Sequence, residues 1–496
     1  MVEVVKNFVG GQWVDAQSGA VFDSINPATE EVLAKAPNSG AQDVAAAVQA
    51  AKDAYKSWRL TPAPRRGEIL FRVAQLLTER KEQLARLMTQ EMGKIVAETR
   101  GDVQEAIDMA YYMGGEGRRL FGYTAPVEMP NKFGMALRDS VGVVGLITPW
   151  NFPIAVPSWK MLPALVAGNT VVWKPGEDTP AISAAFVRVF EDAGLPLGVL
   201  NLVTGAGETG EALVSHPDVR VISFTGSTTT GLKVYTRAAG MGKKVTLEMG
   251  GKNAVIVMDD ANLDLAVEAI TWSAFGTTGQ RCTAASRLIV QRGIKPKLVD
   301  ALAEKARSLK LGDGLDDSVD VGPLVNQKAL DKVSGYMDVA RQEGVRIVTG
   351  GQRADLGRGY FFQPTLFDGV QRGMRVEQEE IFGPVLSIIE VGSLEEAIDV
   401  NNSVMYGLSS SIFTENVNAA FRAIRDLTTG IVYINHGTTG AEIQFPFGGT
   451  RGTGNGMREA GQAALDSFTE WKSVYVDYSG RLQRAQIDTD TILSET

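Results

Sequence analysis

One segment of this 496-residue chain holds its single cysteine among small and polar residues. Cys282 stands in the segment FGTTGQRCT (275–283). A lone cysteine is ordinarily a small buried hydrophobic residue, but glycine, glutamine and arginine neighbours make a poor apolar core. Arg281 beside it favours the thiolate, which is the form that attacks a carbonyl carbon. Cys282 is therefore a candidate nucleophile, and we expect its pKa to be depressed.

A thiol nucleophile that attacks a carbonyl needs an oxyanion donor and, for hydrolysis of the acyl-enzyme, a base that activates water. Glu248 ends the run KKVTLE (243–248), and Asn151 ends ITPWN (147–151). Because the chain has two histidines, a carboxylate is the simplest base. An amide donor to an oxyanion is worth about 2.7–4 kcal/mol. Either residue alone is most often a turn or cap residue, so the assignment of catalytic roles to them depends on their joint presence with Cys282.

Two glycine-containing turns have the pattern of phosphate-binding loops. Gly205, Gly207 and Gly210 form G-x-G-x-x-G after one strand-like run, and GSTTTG (226–231) opens another helical stretch. Helix N-terminal amides favour anions, although a helix cap alone also explains each turn. The dinucleotide fingerprint requires an acidic residue at the end of the next strand, but that strand ends in FTGS (224–227).

A lysine and a glutamate offer a substitute for the missing carboxylate. The run NTVVWK (169–174) ends in Lys174, and Glu177 follows three residues later. Together these two side chains can hydrogen-bond the hydroxyls of a ribose. The sequence therefore favours a nucleotide-binding site.

Composition excludes several classes of protein. The formal net charge is −9, which is a poor match to a protein that binds nucleic acid or an anionic membrane. One cysteine excludes an intrachain disulfide and a Cys-rich metal site, and two histidines make a His-ligated metal improbable. No signal peptide or run of about 18 apolar residues is seen. We therefore expect a cytoplasmic protein without a metal.

The order of apolar runs predicts an α/β fold. Apolar residues recur at three- to four-residue spacing from about Gly40 to Gly122, which predicts helices. From Val141, short β-branched runs alternate with turns and helical stretches, and this alternation resumes after Asn253. The first five runs are VGVVGLIT (141–148), NTVVWK (169–174), VLNLVT (199–204), VRVISF (219–224) and KKVTLE (243–248). Such alternation favours a doubly wound parallel sheet, with ligands beyond the carboxyl ends of its strands.

Seven motifs, in this order and spacing, resemble those of the NAD(P)-dependent aldehyde dehydrogenase superfamily. The resemblance runs from about Asn7 to Tyr478. The motifs are TPWNFP (148–153), GNTVVWKPGE (168–177), FTGSTTTG (224–231), LEMGGKN (247–253), FGTTGQRCT (275–283), EEIFGP (379–384) and PFGG (446–449).

The resemblance implies a division of the chain into three units. A doubly wound NAD-binding domain would comprise residues 1–121 and 141–252, and an α/β catalytic domain residues 253–467. A small β oligomerisation domain would be built from residues 122–140 and 468–496. A homodimer or homotetramer is the expected assembly.

The resemblance also implies roles for the catalytic residues. Cys282 would be the nucleophile and Glu248 the general base. Asn151 and the backbone N–H of Cys282 would form the oxyanion hole. Lys160 and Glu459 match positions that relay the proton away from the base.

For the cofactor, the resemblance implies a second set of residues. Lys174 and Glu177 would hold the adenosine ribose, and a carboxylate at 177 favours NAD over NADP because it repels a 2′-phosphate. The other positions are Ser227 at the pyrophosphate, Glu380 at the nicotinamide ribose, Phe382 near the nicotinamide ring, and Gly207, Gly226, Ile147 and Trp150 elsewhere around the cofactor.

The implied reaction is oxidation of an aldehyde to a carboxylic acid through a cysteine thiohemiacetal and a thioester. Glu248 favours hydrolysis over transfer to coenzyme A. The stretches QEMGKI (90–95), GDVQE (101–105) and NHGTTGAE (435–442) resemble branches that act on carboxylated semialdehydes, although His436 and Met457 depart from them. No arginine can be named as the carboxylate anchor, and a broad-range aliphatic or aromatic aldehyde dehydrogenase is the alternative.

Two functions of other classes remain. A thiol esterase would use Cys282 and Glu248 but would leave Lys174, Glu177 and Glu380 without a role. A non-catalytic scaffold is disfavoured because the cysteine, the glutamate and Asn151 are all intact.

Overall fold

A computed structural model describes residues 3–488 of the chain. The strands are β1 (Glu3–Val4), β2 (Asn7–Val9), β3 (Gln12–Val14), β4 (Val21–Ile25), β5 (Val32–Pro37), β6 (Tyr123–Ala125), β7 (Lys132–Ser140), β8 (Val143–Ile147), β9 (Thr170–Lys174), β10 (Leu200–Leu202), β11 (Val219–Thr225), β12 (Lys244–Glu248), β13 (Asn253–Val257), β14 (Ala285–Gln291), β15 (Arg346–Thr349), β16 (Thr365–Asp368), β17 (Val385–Val391), β18 (Tyr406–Gly407), β19 (Ser409–Phe413), β20 (Ile431–Ile434), β21 (Thr450–Arg451) and β22 (Thr469–Asp477). The helices are α1 (Ala41–Trp58), α2 (Ala63–Glu79), α3 (Lys81–Met92), α4 (Val96–Glu116), α5 (Ala155–Val166), α6 (Pro180–Asp192), α7 (Gly207–Ser215), α8 (Thr228–Ala239), α9 (Leu263–Phe275), α10 (Lys295–Ser308), α11 (Gln327–Gln342), α12 (Arg375–Gln378), α13 (Leu394–Asn402), α14 (Val417–Asp426) and α15 (Ala464–Phe468).

The first large sheet has the strand order β12-β11-β8-β9-β10-β2-β3. Its strands from β12 to β10 are parallel, and β2 and β3 are added antiparallel. Alternate residues of β8 enter different buried clusters, with Val144 and Leu146 on one face and Val143 on the other. Burial on both faces explains why these strands read as continuous apolar runs rather than as alternating ones.

The second large sheet has the order β15-β16-β17-β14-β13-β19-β20 and is parallel except for β15 against β16. Alternation is seen again, since Ala254 and Ile256 of β13 pack in one cluster and Val255 and Val257 in another. Two parallel sheets, each with a buried cluster on either face, confirm the predicted α/β class.

A third, antiparallel sheet has the order β22-β7-β6. Strand β22 pairs with β7 over their full length, from Thr469 opposite Ser140 to Asp477 opposite Lys132. The pairing joins the two segments that the resemblance assigned to one small unit, of which residues 489–496 lie outside the described residues. The division into domains stays a prediction.

The helices from Gly40 to Gly122 were predicted from periodicity, and α1 to α4 occupy this region. Gly93, with φ 96°, ends α3 in the left-handed conformation that favours glycine at a helix C-terminus. Across residues 3–488, no helix combines the length and apolar character needed to cross a membrane.

Candidate active site

The loop that carries Cys282 is held in an unfavourable backbone conformation. After α9, the 3-10 turn Gly276–Gly279 contains Thr277 and Thr278 with φ of 50° and 57°. Such positive φ values in threonine persist only where the surroundings enforce them. Here the N–H of Thr277 donates to Glu98 (2.7 Å), and the Thr278 hydroxyl donates to the carbonyl of Gly322 (2.9 Å).

The LEMGGKN motif fixes the main chain of Cys282. Nδ2 of Asn253 donates to the carbonyls of Cys282 (2.7 Å) and Ala284 (2.9 Å). At Gly251, a Cβ atom would lie 2.4 Å from the Cys282 carbonyl oxygen, so any larger residue would displace the loop. Asn253 was not among the predicted site residues, although it lies in a motif that was recognised.

Cys282 lies where two cavities meet. One cavity, of about 320 Å³, is lined by Cys282, Glu248 and Glu459. The other, of about 530 Å³, is lined by Cys282 and by Asn151. The arrangement gives one sulfur atom access to two separate bound molecules.

The prediction of a depressed Cys282 pKa was wrong for the described chain. Burial, followed by the carboxylates of Glu248, Glu380 and Glu459, raises the pKa of this thiol to about 12. Arg281 does not offset them, because its guanidinium is hydrogen-bonded to Glu98 and to the Thr277 hydroxyl. Although Arg281 is next to Cys282 in the sequence, its positive charge does not lower the pKa of the thiol.

Asn151 lines the larger cavity together with Cys282. It follows β8 by four residues and is 4% exposed. Its Nδ2 donates one hydrogen to the carbonyl of Gln280, two residues before Cys282 (2.9 Å). An amide nitrogen carries two hydrogens, and within residues 3–488 the second has no acceptor, so it can serve a ligand.

Glu248, the last residue of β12, is buried beside a second carboxylate. Among the described residues, neither of its oxygens has a hydrogen-bond partner. Burial and then the charge of Glu459 raise the pKa of Glu248 well above its ordinary value. Lys160, on α5, is paired with Glu459 and donates to the Ser223 hydroxyl (3.0 Å). Glu459 thus lines the cavity, with Lys160 behind it.

The larger cavity gathers most of the residues predicted to bind a cofactor. Those that line it are Trp150, Glu177, Gly226, Ser227, Glu380 and Phe382. The Lys174 ammonium lies 3.8 Å from a carboxylate oxygen of Glu177. Three predicted residues are not among the lining residues: Lys174 is buried at the end of β9, Ile147 packs on a buried cluster and Gly207 begins α7. Their predicted contact with a cofactor stays a prediction.

The groups around this cavity suit a dinucleotide. Ser227 is the N-cap of α8, whose N-terminal amides favour a phosphate. Glu380 accepts from the N–H of Gly251 (2.9 Å), and a Cβ atom at Gly250 would lie 2.5 Å from Glu380 Oε2. Phe382 has a φ of 59° and packs edge-on against Trp150 at 5.7 Å. A carboxylate, an aromatic pair and a helix N-terminus thus all border this cavity.

The wall of the smaller cavity comes largely from residues that sequence reasoning missed. It combines aromatic side chains with charged ones, namely Phe152, Trp159, Trp272, Phe447, Glu98, Asp102, Glu105 and Arg281. The spacing of the three acidic residues on α4 puts them on one helix face, which is the signal that was available. Burial and then Asp102 raise the pKa of Glu105 to about 8.

Comparison of the sequence with known proteins identifies its family. The Aldehyde dehydrogenase family model matches residues 13–474. The alpha-ketoglutaric semialdehyde dehydrogenase of Bacillus subtilis is 43% identical over 95% of this chain and 97% of its own. Malonate-semialdehyde dehydrogenase 2 of Geobacillus kaustophilus is 41% identical over 95% of this chain and 98% of its own.

The solved structures agree with the sequence relatives. A crystal structure of betaine aldehyde dehydrogenase from Staphylococcus aureus in complex with NAD+ matches with a TM-score of 0.94 at 34% identity. The match covers 96% of this chain and 95% of that one. The fold, the motifs along it and these matches agree, and the chain belongs to the aldehyde dehydrogenase family.

Proposed function

We propose that the chain oxidises a carboxylated semialdehyde to the corresponding acid, with NAD as hydride acceptor and water as the final nucleophile. The observation that carries the proposal is the position of Cys282 at the junction of two cavities. One cavity holds Glu248 and has the size of a small substrate site, and the other has the features that fit a dinucleotide.

In the proposed mechanism, the Cys282 thiolate adds to the aldehyde carbon, and the free amide hydrogen of Asn151 donates to the resulting oxyanion. A bound NAD would supply the hydride acceptor at this carbon, which would thereby become the carbonyl carbon of a thioester. Glu248 then takes a proton from water as the water attacks the thioester, and the carbon–sulfur bond breaks to release the acid and the Cys282 thiolate. Burial and the charge of Glu459 raise the pKa of Glu248, so its carboxylate is a stronger base than an ordinary one.

A proton taken up by Glu248 needs an exit. The Lys160–Glu459 pair adjoins it, and Lys160 also contacts Ser223. Since the charge of Glu459 acts on the pKa of Glu248, we propose that this pair receives the proton.

Two observations support a carboxylated substrate. Relatives above 40% identity are named as semialdehyde dehydrogenases. In addition, Arg281 lines the cavity next to Cys282, and among the described residues no hydrogen bond uses its Nη1. A free guanidinium N–H is a strong donor to a carboxylate. We therefore propose Arg281 as the anchor of the substrate carboxylate.

The aromatic wall of the same cavity supports a second candidate substrate class. Trp159 and Phe447 pack with ring centroids 4.7 Å apart, and Phe152 also lines the cavity. These surfaces suit a plain aliphatic or aromatic aldehyde, so a broad-range enzyme remains the alternative.

The test follows NADH formation with NAD or NADP over a panel of aldehydes, with Cys282→Ala as control. The panel runs from hexanal and benzaldehyde to malonic, succinic and α-ketoglutaric semialdehydes. Cysteine-dependent turnover that prefers the carboxylated members supports the proposal, and equal turnover of the plain aldehydes supports the alternative. No reduction of either cofactor by folded protein would refute the dehydrogenase function.

The same assay with coenzyme A added tests the hydrolytic step. We expect free acid as the product and no dependence of the rate on coenzyme A, because Glu248 lies in the cavity beside the cysteine. An acyl-coenzyme A product would contradict this part of the proposal.

We also propose that the chain forms a homodimer or homotetramer. Apolar side chains on the third sheet support this, since Phe133, Trp471 and Tyr475 are exposed. Light scattering would measure the mass in solution, and a monomer would refute it. The expected cytoplasmic location stays a prediction.

A further inference from the structure

Lys94 and Asp102 form a buried ion pair beside the active site. Lys94 follows the glycine that ends α3, and Asp102 lies on α4. Their charged groups are 2.6 Å apart, and both side chains have no exposed surface. A buried ion pair is weak evidence for stability, because desolvation of the two charges offsets their attraction. Stability alone therefore does not account for the Lys94–Asp102 pair.

The remaining hydrogen bonds of the pair go to a single loop. The Lys94 ammonium donates to the main-chain carbonyl of Asn151 (3.0 Å) and lies 4.0 Å from the ring centroid of Phe152. The other carboxylate oxygen of Asp102 accepts from the N–H of Ala155, the first residue of α5 (2.7 Å). The pair thus holds both ends of the five-residue segment between 151 and 155.

This contact bears on the oxyanion donor itself. The carbonyl that Lys94 holds belongs to the residue whose side-chain amide is bonded to Gln280, two residues before Cys282. Asn151 is therefore fixed from two sides, by an ammonium at its main chain and by a carbonyl at its side chain. A shift of about 1 Å in such a group can cost about 100-fold in rate.

We propose that Lys94, held by Asp102, is a positioning residue that keeps the Asn151 amide directed at the oxyanion formed on the substrate of Cys282. The proposal rests on the proposed function of Asn151. It does not depend on the identity of the aldehyde or on the hydride step.

A double-mutant cycle tests it with the variants Lys94→Met, Asn151→Ala and the two combined. We expect Lys94→Met alone to lower kcat about 10- to 100-fold, with little change in the Kd for NAD measured by fluorescence titration. Because Lys94 acts through Asn151, the same substitution in the Asn151→Ala background should cost less than about twofold. Equal losses in both backgrounds would overturn the proposal.

The cycle is run with an aldehyde and NAD and also with p-nitrophenyl acetate alone. Under the proposed mechanism the ester would acylate the same cysteine and would form an oxyanion at the same place without a cofactor. Absence of aldehyde oxidation in the parent protein would count against the proposed function. Additive losses in the ester reaction would count against the positioning role alone.

Two further variants separate positioning from general loss of structure. Asp102→Asn is isosteric and keeps an acceptor for Ala155, so it serves if Lys94→Met fails to fold, and it should show the same non-additivity with Asn151→Ala. Glu377→Gln is the matched control, because it breaks another buried pair, with Arg287 (3.1 Å), that does not contact Asn151. This control should lower the melting temperature, and its effect on kcat should be the same in either background.

Discussion

The high pKa of Cys282 leads to a sharp prediction about its reactivity. A rise from 9.0 to about 12 disfavours the thiolate by about 4 kcal/mol. At pH 8, roughly one molecule in ten thousand would carry a thiolate, against about one in ten for an ordinary thiol. The more basic thiolate is the better nucleophile, and with a Brønsted slope of about 0.45 this offsets roughly 20-fold of the thousandfold difference. The net expectation is a reaction about 50-fold slower than that of a small thiol.

The assay is the rate of reaction with an aromatic disulfide reagent between pH 7 and pH 10. Because Cys282 is the single cysteine, the released chromophore reports on it alone. We expect the rate to rise tenfold per pH unit without a plateau. This dependence on pH is the same however easily the reagent enters the cavity. A plateau below pH 9 would refute the reasoning and would restore the expectation that Arg281 stabilises the thiolate. Cys282→Ser is the blank.

The same measurement identifies the cause of the shift. Glu459→Gln removes one of the carboxylates that raise the Cys282 pKa, so the rate at pH 8 should increase. Addition of NAD should increase it further, because the positive nicotinamide favours a nearby anion, whereas NADH should not. If neither changes the rate, a contribution of the Glu459 charge to the Cys282 pKa is contradicted.

Three more predictions concern substrate binding, hydrolysis and pH. Arg281→Met should lower kcat/KM for carboxylated semialdehydes about 10- to 100-fold, which is the value of a hydrogen bond between charged groups, and should change kcat/KM for hexanal less than about threefold. A similar loss for the two classes of aldehyde would disprove the role of Arg281 as carboxylate anchor. The double variant with Glu98→Gln controls for the Glu98 carboxylate that the substitution leaves unpaired. Glu248→Gln should still form one NADH per active site rapidly but should lose steady-state turnover, because only the hydrolytic step uses this base. Rapid-mixing absorbance measures both phases, and loss of the first turnover would contradict the assignment of Glu248 as the hydrolytic base. Glu105 has a pKa raised to about 8 in the folded chain, whereas the unfolded chain ionises this residue from about pH 4.5 upward. Between these two pH values the folded chain keeps Glu105 protonated, so the free energy of unfolding decreases as the pH rises. Glu105→Gln should therefore raise the melting temperature more at pH 8 than at pH 5, and an equal effect at both values would argue against the shift.

The arrangement of strands, and the residues at their ends, followed from local pattern. The β-branched runs ending near Asn151, Lys174 and Glu248 are buried on both faces, so their composition alone indicated parallel strands. The carboxyl ends of parallel strands meet at one edge, and this rule was enough to predict that those three residues share one region of the molecule. Cys282 stood out because it is alone and lies among residues that do not make an apolar core.

The electrostatics of the site did not follow from local pattern. Arg281 is adjacent to Cys282 in the chain, yet its guanidinium binds Glu98, 183 residues away, while the charges that act on the sulfur come from Glu248, Glu380 and Glu459. The Lys94–Asp102 pair was equally hidden, since its contact with Asn151 joins residues 57 apart. A pKa depends on burial and on every charge packed around a group, whichever part of the chain supplies it. Local sequence patterns therefore predicted which ionisable groups are present at this site. The packing of distant helices determines the pKa of each group.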